Sequence, residues 1–510
     1  MVDERDVSKL LSSAVLIGAG QVFYSASQLI ERIIVARLLT TEAYGEISVG
    51  LAILTFVTTI GLLGVKGGIP RFMSRYDDEA NERGAWLTGV LISGTATVVL
   101  TIVLLSGTGT ISALLFERGD STRLVALFVA CIPFTVGLEL AVAGIRGREN
   151  TLYRTYARDL LYPTGRLLFL VGFLLAGFGI HAAAMAYLVG AIVSCALACV
   201  LLNRLVPLIG SAQLHVRELL FFSVPLVFAT VLSNMLTHTD TLMLGYFRSS
   251  HEVGLYSAAY PLASGMLLVL SSFGFMYLPL ASRLDAEDER SEVGSIYELT
   301  TKWVFIVTFP LFLTFVVFSG DVLGIVFGER YAEAGNALSI LAIGFFTSAM
   351  FGRNRETLSA LGFTTAIMGA NGVAFIINAG LNLILIPRYG YMGAAVTSML
   401  SFVVLNLTVY TVLKLKCDIT PFSRWSTRTF IVLPVTLFPL AFLLRGAITL
   451  TLVTLPLFVI AVGLCSIVIV SVTGCLQPED RIPISLLEQR LDVRIPIVRR
   501  YLPDPGYSNN

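Results

Sequence analysis

Apolar runs of roughly 20 residues recur from about residue 10 to residue 473. Each is long enough to cross about 30 Å of hydrocarbon as a helix. In lipid every backbone N–H and C=O must be satisfied within the chain, which leaves helices or a closed barrel. A barrel would alternate polarity over strands of about 10 residues, and the sequence has no such pattern. Charged residues make up 14% of the chain, against about 25% in a soluble domain. The reading is an all-α polytopic membrane protein with about fourteen transmembrane helices. They are expected near 10–36, 44–64, 86–106, 122–144, 159–178, 181–202, 219–245, 253–280, 299–318, 336–352, 364–386, 391–413, 428–445 and 449–473. Arg353, Asn354, Arg355 and Glu356 interrupt the apolar stretch that carries the tenth.

Lysine and arginine accumulate in cytoplasmic loops, and here they alternate. Even-numbered loops hold Lys66, Arg71, Arg75 and Arg83; Arg146, Arg148, Arg154 and Arg158; Arg283, Arg290 and Lys302; and Lys414, Lys416, Arg424 and Arg428. Odd-numbered loops hold only Arg37, Arg118, Arg123, Arg248, Arg330, Arg388 and Arg445. Both termini are therefore expected on the cytoplasmic side of a cell membrane. No short apolar core with a small-residue cleavage site opens the chain, so the first helix is expected to be retained. The tail beyond Leu476 carries Arg481, Arg490, Arg494, Arg499 and Arg500 among Ile482, Ile484, Leu486, Leu487 and Leu491. It reads either as an amphipathic segment on an anionic leaflet or as an unstructured basic tail.

A repeat divides the spans. At a fixed offset of 209 residues, Leu10 pairs with Leu219, Val22 with Val231, Glu31 with Asp240, Gly45 with Gly254, Ser48 with Ser257 and Pro70 with Pro279. A second echo joins Gly179-Ile-His-Ala-Ala-Ala184 to Gly390-Tyr-Met-Gly-Ala-Ala395. Each half holds six spans, an even number, so the halves are parallel repeats about an axis along the membrane normal. The expected domains are a six-helix lobe over 1–203, a second over 204–414, a helical hairpin over 415–475 and a cytoplasmic tail over 476–510.

Intramembrane charge is costly unless it is used or paired. Span one carries Gln21, Tyr24, Gln28, Glu31 and Arg32 at three- and four-residue steps, one polar stripe facing protein or water. Glu31 and Asp240, equivalent in the repeat, are candidates for proton or cation coupling, with His238 beside them. The bland alternative is a snorkelling Glu31–Arg32 pair. Arg158, Tyr162 and Arg166 follow at four-residue steps, with Pro163 loosening the helix. An unpaired arginine at the depth of Arg166 costs roughly 2.5–3.5 kcal/mol on insertion scales. Its partner is either Asp159 or Glu139 within the protein, or a ligand phosphate gripped in bidentate fashion. Arg32, Gln28, Asn234 and Asn378 are further candidates for a polar cavity. Asn371, Asn378 and Asn382 share one helix face, as sugar-binding groups or as helix–helix glue. Arg353 and Arg355 either guard a cavity mouth or simply end a helix.

Other functions lack their residues. A net charge of +1 with dispersed basic residues excludes nucleic-acid binding. Six cysteines, mostly inside apolar runs, form neither metal spacing nor a disulfide framework. No nucleotide-binding loop, nucleophile elbow or paired acidic motif is present. The longest extramembrane segments, about Lys66–Ala85 and Ser282–Glu298, are too short for a catalytic domain. No cofactor, metal or enzymatic activity is expected.

The six, six and two arrangement, the Glu-Ala-Tyr-Gly45 and Glu-Val-Gly-Leu-Tyr256 turns and the Asp240-x-x-x-x-Gly245 segment resemble the multidrug/oligosaccharidyl-lipid/polysaccharide exporter superfamily. Within it the chain is most similar to the Wzx-type polysaccharide flippases. The resemblance implies V-shaped lobes, as in multidrug exporters and lipid II flippases, that alternate between inward- and outward-open states. A lipid-linked oligosaccharide on a polyprenyl (pyro)phosphate would pass its head group through the cavity, with its tail in lipid. The hairpin over Thr427–Thr473 would line a groove for that tail. The partners implied are the bilayer, the lipid-linked glycan and H+ or Na+. The competing readings are a cation-coupled drug or metabolite antiporter of the same superfamily and, further off, a membrane glycosyltransferase or glycan polymerase. A non-transporting scaffold would not need buried charge at matched depths.

Overall fold

The structure is a computed structural model that describes residues 4–76, 78–116, 121–272, 277–481 and 483–485. Arg118, Ile482 and the tail from Leu486 onward, with Arg490, Arg494, Arg499 and Arg500, lie outside the described residues. The described backbone is helical between short turns, and the chain packs as two compact units. One comprises Met1–Ser257 and Ile386–Tyr391, the other Ala258–Leu385 and Met392–Asn510. The lobe boundary expected from the repeat, at residue 203, is a separate division and remains a proposal.

In the first unit the order is α1 (Glu4–Leu38), α2 (Thr41–Gly61), α3 (Val65–Met73), α4 (Glu79–Ser106), α5 (Thr108–Leu115), α6 (Thr122–Gly147) and α7 (Thr151–Arg154). A π-helical segment, Thr155–Leu161, then leads into α8 (Tyr162–Leu175), α9 (His181–Leu205), α10 (Val216–Phe247) and the start of α11 (Ser250–Ser272). Helix α6 is the core, packed by α9, α4, α3 and α2. Close packing is possible because α9 offers Ala182, Ala183, Ala184, Ala186, Gly190 and Ala191 as buried small residues. The start of α2 is fixed by Thr40, whose hydroxyl accepts from the Ala43 amide at 3.2 Å. Asp78 does the same for α4 through Asn81 at 3.1 Å. These contacts with Asn81 hold the exposed Asp78 carboxyl below its usual range.

The second unit continues with α12 (Tyr277–Ala286), α13 (Arg290–Val317), α14 (Ser319–Phe327), α15 (Gly335–Phe351), α16 (Asn354–Ala360), α17 (Thr364–Cys417), α18 (Arg424–Leu444) and α19 (Thr454–Val472). Helix α13 is its centre, with α15, α18 and α19 around it. The filling is aromatic. Phe312 stacks on Phe346 with centroids 4.0 Å apart, and Phe305 meets Phe430 at 4.3 Å. Outward rows such as Ile431, Val435, Leu443, Leu457, Ile460 and Leu464 are exposed. Lipid-facing helices carry such rows, since lipid removes the penalty that water imposes on them.

Among the described residues, ten helical segments are long and apolar enough to cross a membrane. The 54-residue α17 covers two of the expected runs, broken where Gly390 leaves helical geometry at φ 57° and ψ −137°. Gly179, its counterpart in the second echo, has φ 55°. Left-handed backbone at both positions gives that echo a physical reason, because glycine adopts it without a steric penalty. The polar interruption after span ten coincides with another such break, Gly352 at φ 56°, from which α16 restarts.

Candidate functional site: buried charge in the first unit

Arg166 of α8 is 1% exposed and Glu31 of α1 is 4% exposed. Arg166 Nε donates to Glu31 Oε2 at 3.0 Å and Nη2 to the same oxygen at 2.5 Å. The guanidinium lies over two rings, 4.8 Å from the Tyr162 centroid and 4.1 Å from that of Tyr187. Desolvated cation–π contacts are worth about 2 kcal/mol or more. Gly190 of α9 gives the arginine stem its room, since a Cβ there would lie 2.9 Å from Arg166 Cγ. Sequence reasoning offered Asp159, Glu139 or a ligand phosphate to Arg166, and Arg32 to Glu31. The structure joins Glu31 to Arg166 instead, 135 residues apart. Arg32 lies within electrostatic reach of Tyr44 and His238.

A second ionic group is built on α6. Glu139 pairs with Lys66 of α3 and, at 3.2 Å, with Arg158 Nε. Arg158 stands in the π-helical segment just ahead of Pro163, whose missing N–H leaves that turn without an ordinary i→i−4 bond. Such π bulges are frequent at functional sites. Asp159, 4% exposed, points its Oδ2 to no hydrogen-bond partner.

On α10, Asp240 is fully buried and accepts from the Tyr256 hydroxyl at 2.6 Å. Asn234 Nδ2 donates to Thr59 Oγ1 at 3.2 Å. His238 and Gln28 are half-buried. The two repeat copies also meet here. A Cβ on Gly45 would strike the Ser250 carbonyl, and one on Gly254 would strike Thr41, which is Ser250's own repeat partner. Glu42 and His251, also repeat partners, pair at 3.3 Å. Tyr44 donates to the Ser257 carbonyl at 3.0 Å.

The remaining candidates stand in the second unit. Arg353, 5% exposed, pairs with Glu356 at 2.7 Å and donates to the Leu270 carbonyl. Arg355 donates to Asn371 at 3.3 Å, and Asn382 to Asn378 at 3.1 Å. The structure thus gathers Gln28, Glu31, Arg32, Arg158, Tyr162, Arg166, Asn234, His238 and Asp240 in one unit, and Arg353, Arg355 and Asn378 in the other. Sequence reasoning missed Tyr187, Tyr256 and Lys66 as partners. Of these only Lys66, a charge at the end of an apolar run, had a visible signal. No group of three or more His, Cys, Asp or Glu suited to a metal ion occurs among the described residues.

The profile of the polysaccharide biosynthesis proteins matches residues 34–336. The chain belongs to that family. It is similar to the probable low-salt glycan biosynthesis flippase Agl15 of Haloferax volcanii, 25% identical over 407 residues that cover 78% of this chain and 81% of Agl15. The fold is that of two solved structures. One is the lipid II flippase MurJ in an inward closed conformation, with a TM-score of 0.72 at 12% identity, covering 94% of this chain and all of MurJ. The other is an inward-facing multidrug resistance MATE transporter of the MOP superfamily, with a TM-score of 0.64 at 14% identity, covering 77% of this chain and 94% of the transporter. The chain is a multi-pass membrane protein of the polysaccharide biosynthesis family.

Proposed function

We propose that this chain is a flippase that moves a polyprenyl-(pyro)phosphate-linked oligosaccharide from the cytoplasmic to the outer leaflet by alternating access, for surface polysaccharide or glycoprotein glycan assembly. It is a transporter and not an enzyme. The observation that carries the reading is the Glu31–Arg166 pair, a full charge pair buried within a multi-pass membrane protein of the polysaccharide biosynthesis family. A glycan head group has many hydroxyls, and burying one unpaired in hydrocarbon costs several kcal/mol. Unaided flipping is therefore negligible, and a polar passage removes the barrier.

In this reading Glu31 holds the place of the substrate phosphate. Both nitrogens of Arg166 already converge on one carboxylate oxygen, the geometry a phosphate oxygen would take. Displacement of Glu31 by substrate keeps the guanidinium paired throughout and frees a carboxylate to take up H+ or Na+. Tyr162 and Tyr187 hold the guanidinium plane in place during the exchange. Arg32, Arg158, Arg353 and Arg355 would assist with charge, and Gln28, Asn234 and Asn378 with sugar hydroxyls. Asp240 and His238 are the second coupling candidates. Outward movement of one negative charge gains about 2.3 kcal/mol per 100 mV of inside-negative potential. Both termini lie on the cytoplasmic side in this reading, at the cell membrane.

A deletion strain tests it: lipid-linked glycan should strand on the inner leaflet, and the wild-type gene should release it. Normal outer-leaflet glycan in the deletion strain would remove the assignment.

A further inference from the structure

The ionic group around Glu139 has more cations than its carboxylates balance. Lys66, Arg154 and Arg158 lie within electrostatic reach of Glu139, Arg146 lies within reach of Lys66 and Arg154, and Asp159 is the other acid among them. Four positive charges thus face two negative ones. Lys66 and Arg158 both lean on the single Glu139 carboxylate, with side chains 33% and 29% exposed. Arg154 Nε is buried and has no hydrogen-bond partner, and neither has the buried Thr155 Oγ1 beside it. A buried donor on a charged group is expensive to leave unmade. Both orphan groups flank the start of the π-helical segment, Thr155–Leu161, whose widened turn departs from regular helix at just this point. Depth matters as well. Glu139 is eight residues before the end of α6 at Gly147, which at 1.5 Å per residue sets the group about 12 Å inside that end.

We propose that Lys66, Arg154 and Arg158 form a phosphate-binding site, with Glu139 as the carboxylate that spaces the cations and Thr155 as an added hydroxyl donor. The missing partner is a tetrahedral dianion or diester oxyanion. Three side chains that converge from α3, α7 and the π-helical segment suit its several oxygens, whereas a single carboxylate offers only two. The phosphate belongs either to the carrier of the transported lipid or to an anionic phospholipid head group, and the chemistry is shared. Where it belongs to the carrier, the site rests on the flippase reading and acts before the Glu31–Arg166 pair is reached. Glu139 then sets selectivity. A neutral head group cannot displace it from two cations, while a phosphate can share them.

The test uses the purified full-length chain in phosphatidylcholine nanodiscs. In one arm farnesyl diphosphate is titrated and binding is read by intrinsic fluorescence. In the other, the discs contain phosphatidylglycerol and retained lipid is counted by native mass spectrometry. Arg154→Gln should weaken one arm about tenfold, the loss of one charge-assisted bond, and Lys66→Gln should follow it. Lys414→Gln, on an exposed side chain, should leave both arms unchanged. Loss in the diphosphate arm identifies a carrier phosphate, and loss in the phospholipid arm a membrane lipid. If Arg154→Gln does not reach the membrane, Lys66→Gln at its part-exposed position decides alone. Unchanged binding in both arms overturns the site. Because binding is read without transport, that failure leaves the flippase reading standing, and failed flipping with intact binding leaves the site standing.

Discussion

Two buried ion pairs invite comparison, one in each unit. Lys302 of α13 and Asp480, just beyond α19, are both fully buried and lie 2.5 Å apart. Asp480 also accepts from Trp303 Nε1 at 2.8 Å and from the Gln477 amide at 2.7 Å, and Lys302 reaches the Cys475 carbonyl at 3.5 Å. Those bonds fasten the segment after α19 to α13 with both carboxylate oxygens in use. The Glu31–Arg166 pair is equally dry, but it is flanked by tyrosine faces rather than backbone donors. Burial of charge therefore does not by itself mark a working site. Where the surroundings are saturated the pair is a latch; the pair flanked by tyrosine faces is the one that the proposed function has exchange its partner.

Removing one partner of a buried pair costs about 3–5 kcal/mol, because the other charge is stranded. The largest effect is expected for Asp480→Ala, which strands Lys302, Trp303 and the Gln477 amide together. Thermal melting of the purified protein should show a loss at the upper end of that range. Arg166→Ala should lie near the lower end, about 3 kcal/mol, and a loss under about 1 kcal/mol would deny that Glu31 is paired as described. The comparison sharpens in double variants, since an apolar replacement of a whole buried pair is often neutral. Glu31→Leu/Arg166→Met should regain most of the stability that its single changes lose, and Lys302→Met/Asp480→Leu only part, because Trp303 and the Gln477 amide stay without their acceptor.

A smaller effect, about 1–3 kcal/mol, is expected for Gly45→Ala, because the new methyl meets the Ser250 carbonyl and overpacks the contact. Equal stability to wild type would mean the two repeat copies do not touch there. The smallest belongs to Lys414→Ala. Its ion pair with Asp418 is exposed on both sides, and solvent screens such a pair so that its loss should scarcely move the melting point. A melting shift as large as that of Arg166→Ala would upset the contrast between dry and wet pairs.

Much of the fold was legible because lipid makes a blunt demand on sequence. The apolar runs mark helices by length alone, and the fixed offset of 209 residues paired Gly45 with Gly254, positions that both meet neighbouring backbone closely. The Gly179 and Gly390 echo was legible as a repeat, while the left-handed backbone at both is what the structure adds. Pro163 announced the loosened turn, though not its π geometry. Partnerships were not legible. Arg166 finds Glu31 across 135 residues and Lys302 finds Asp480 across 178, and no local pattern encodes which distant carboxylate arrives. Lys302 even read as an ordinary loop charge under the orientation rule, when it is wholly buried in α13.

The most direct measurement is flipping of a lipid-linked oligosaccharide in proteoliposomes by the two double variants beside the wild type. Glu31→Leu/Arg166→Met should fold and fail to flip, while Lys302→Met/Asp480→Leu should flip at close to the wild-type rate. Undiminished flipping without Glu31 and Arg166 would contradict the role given to their exchange.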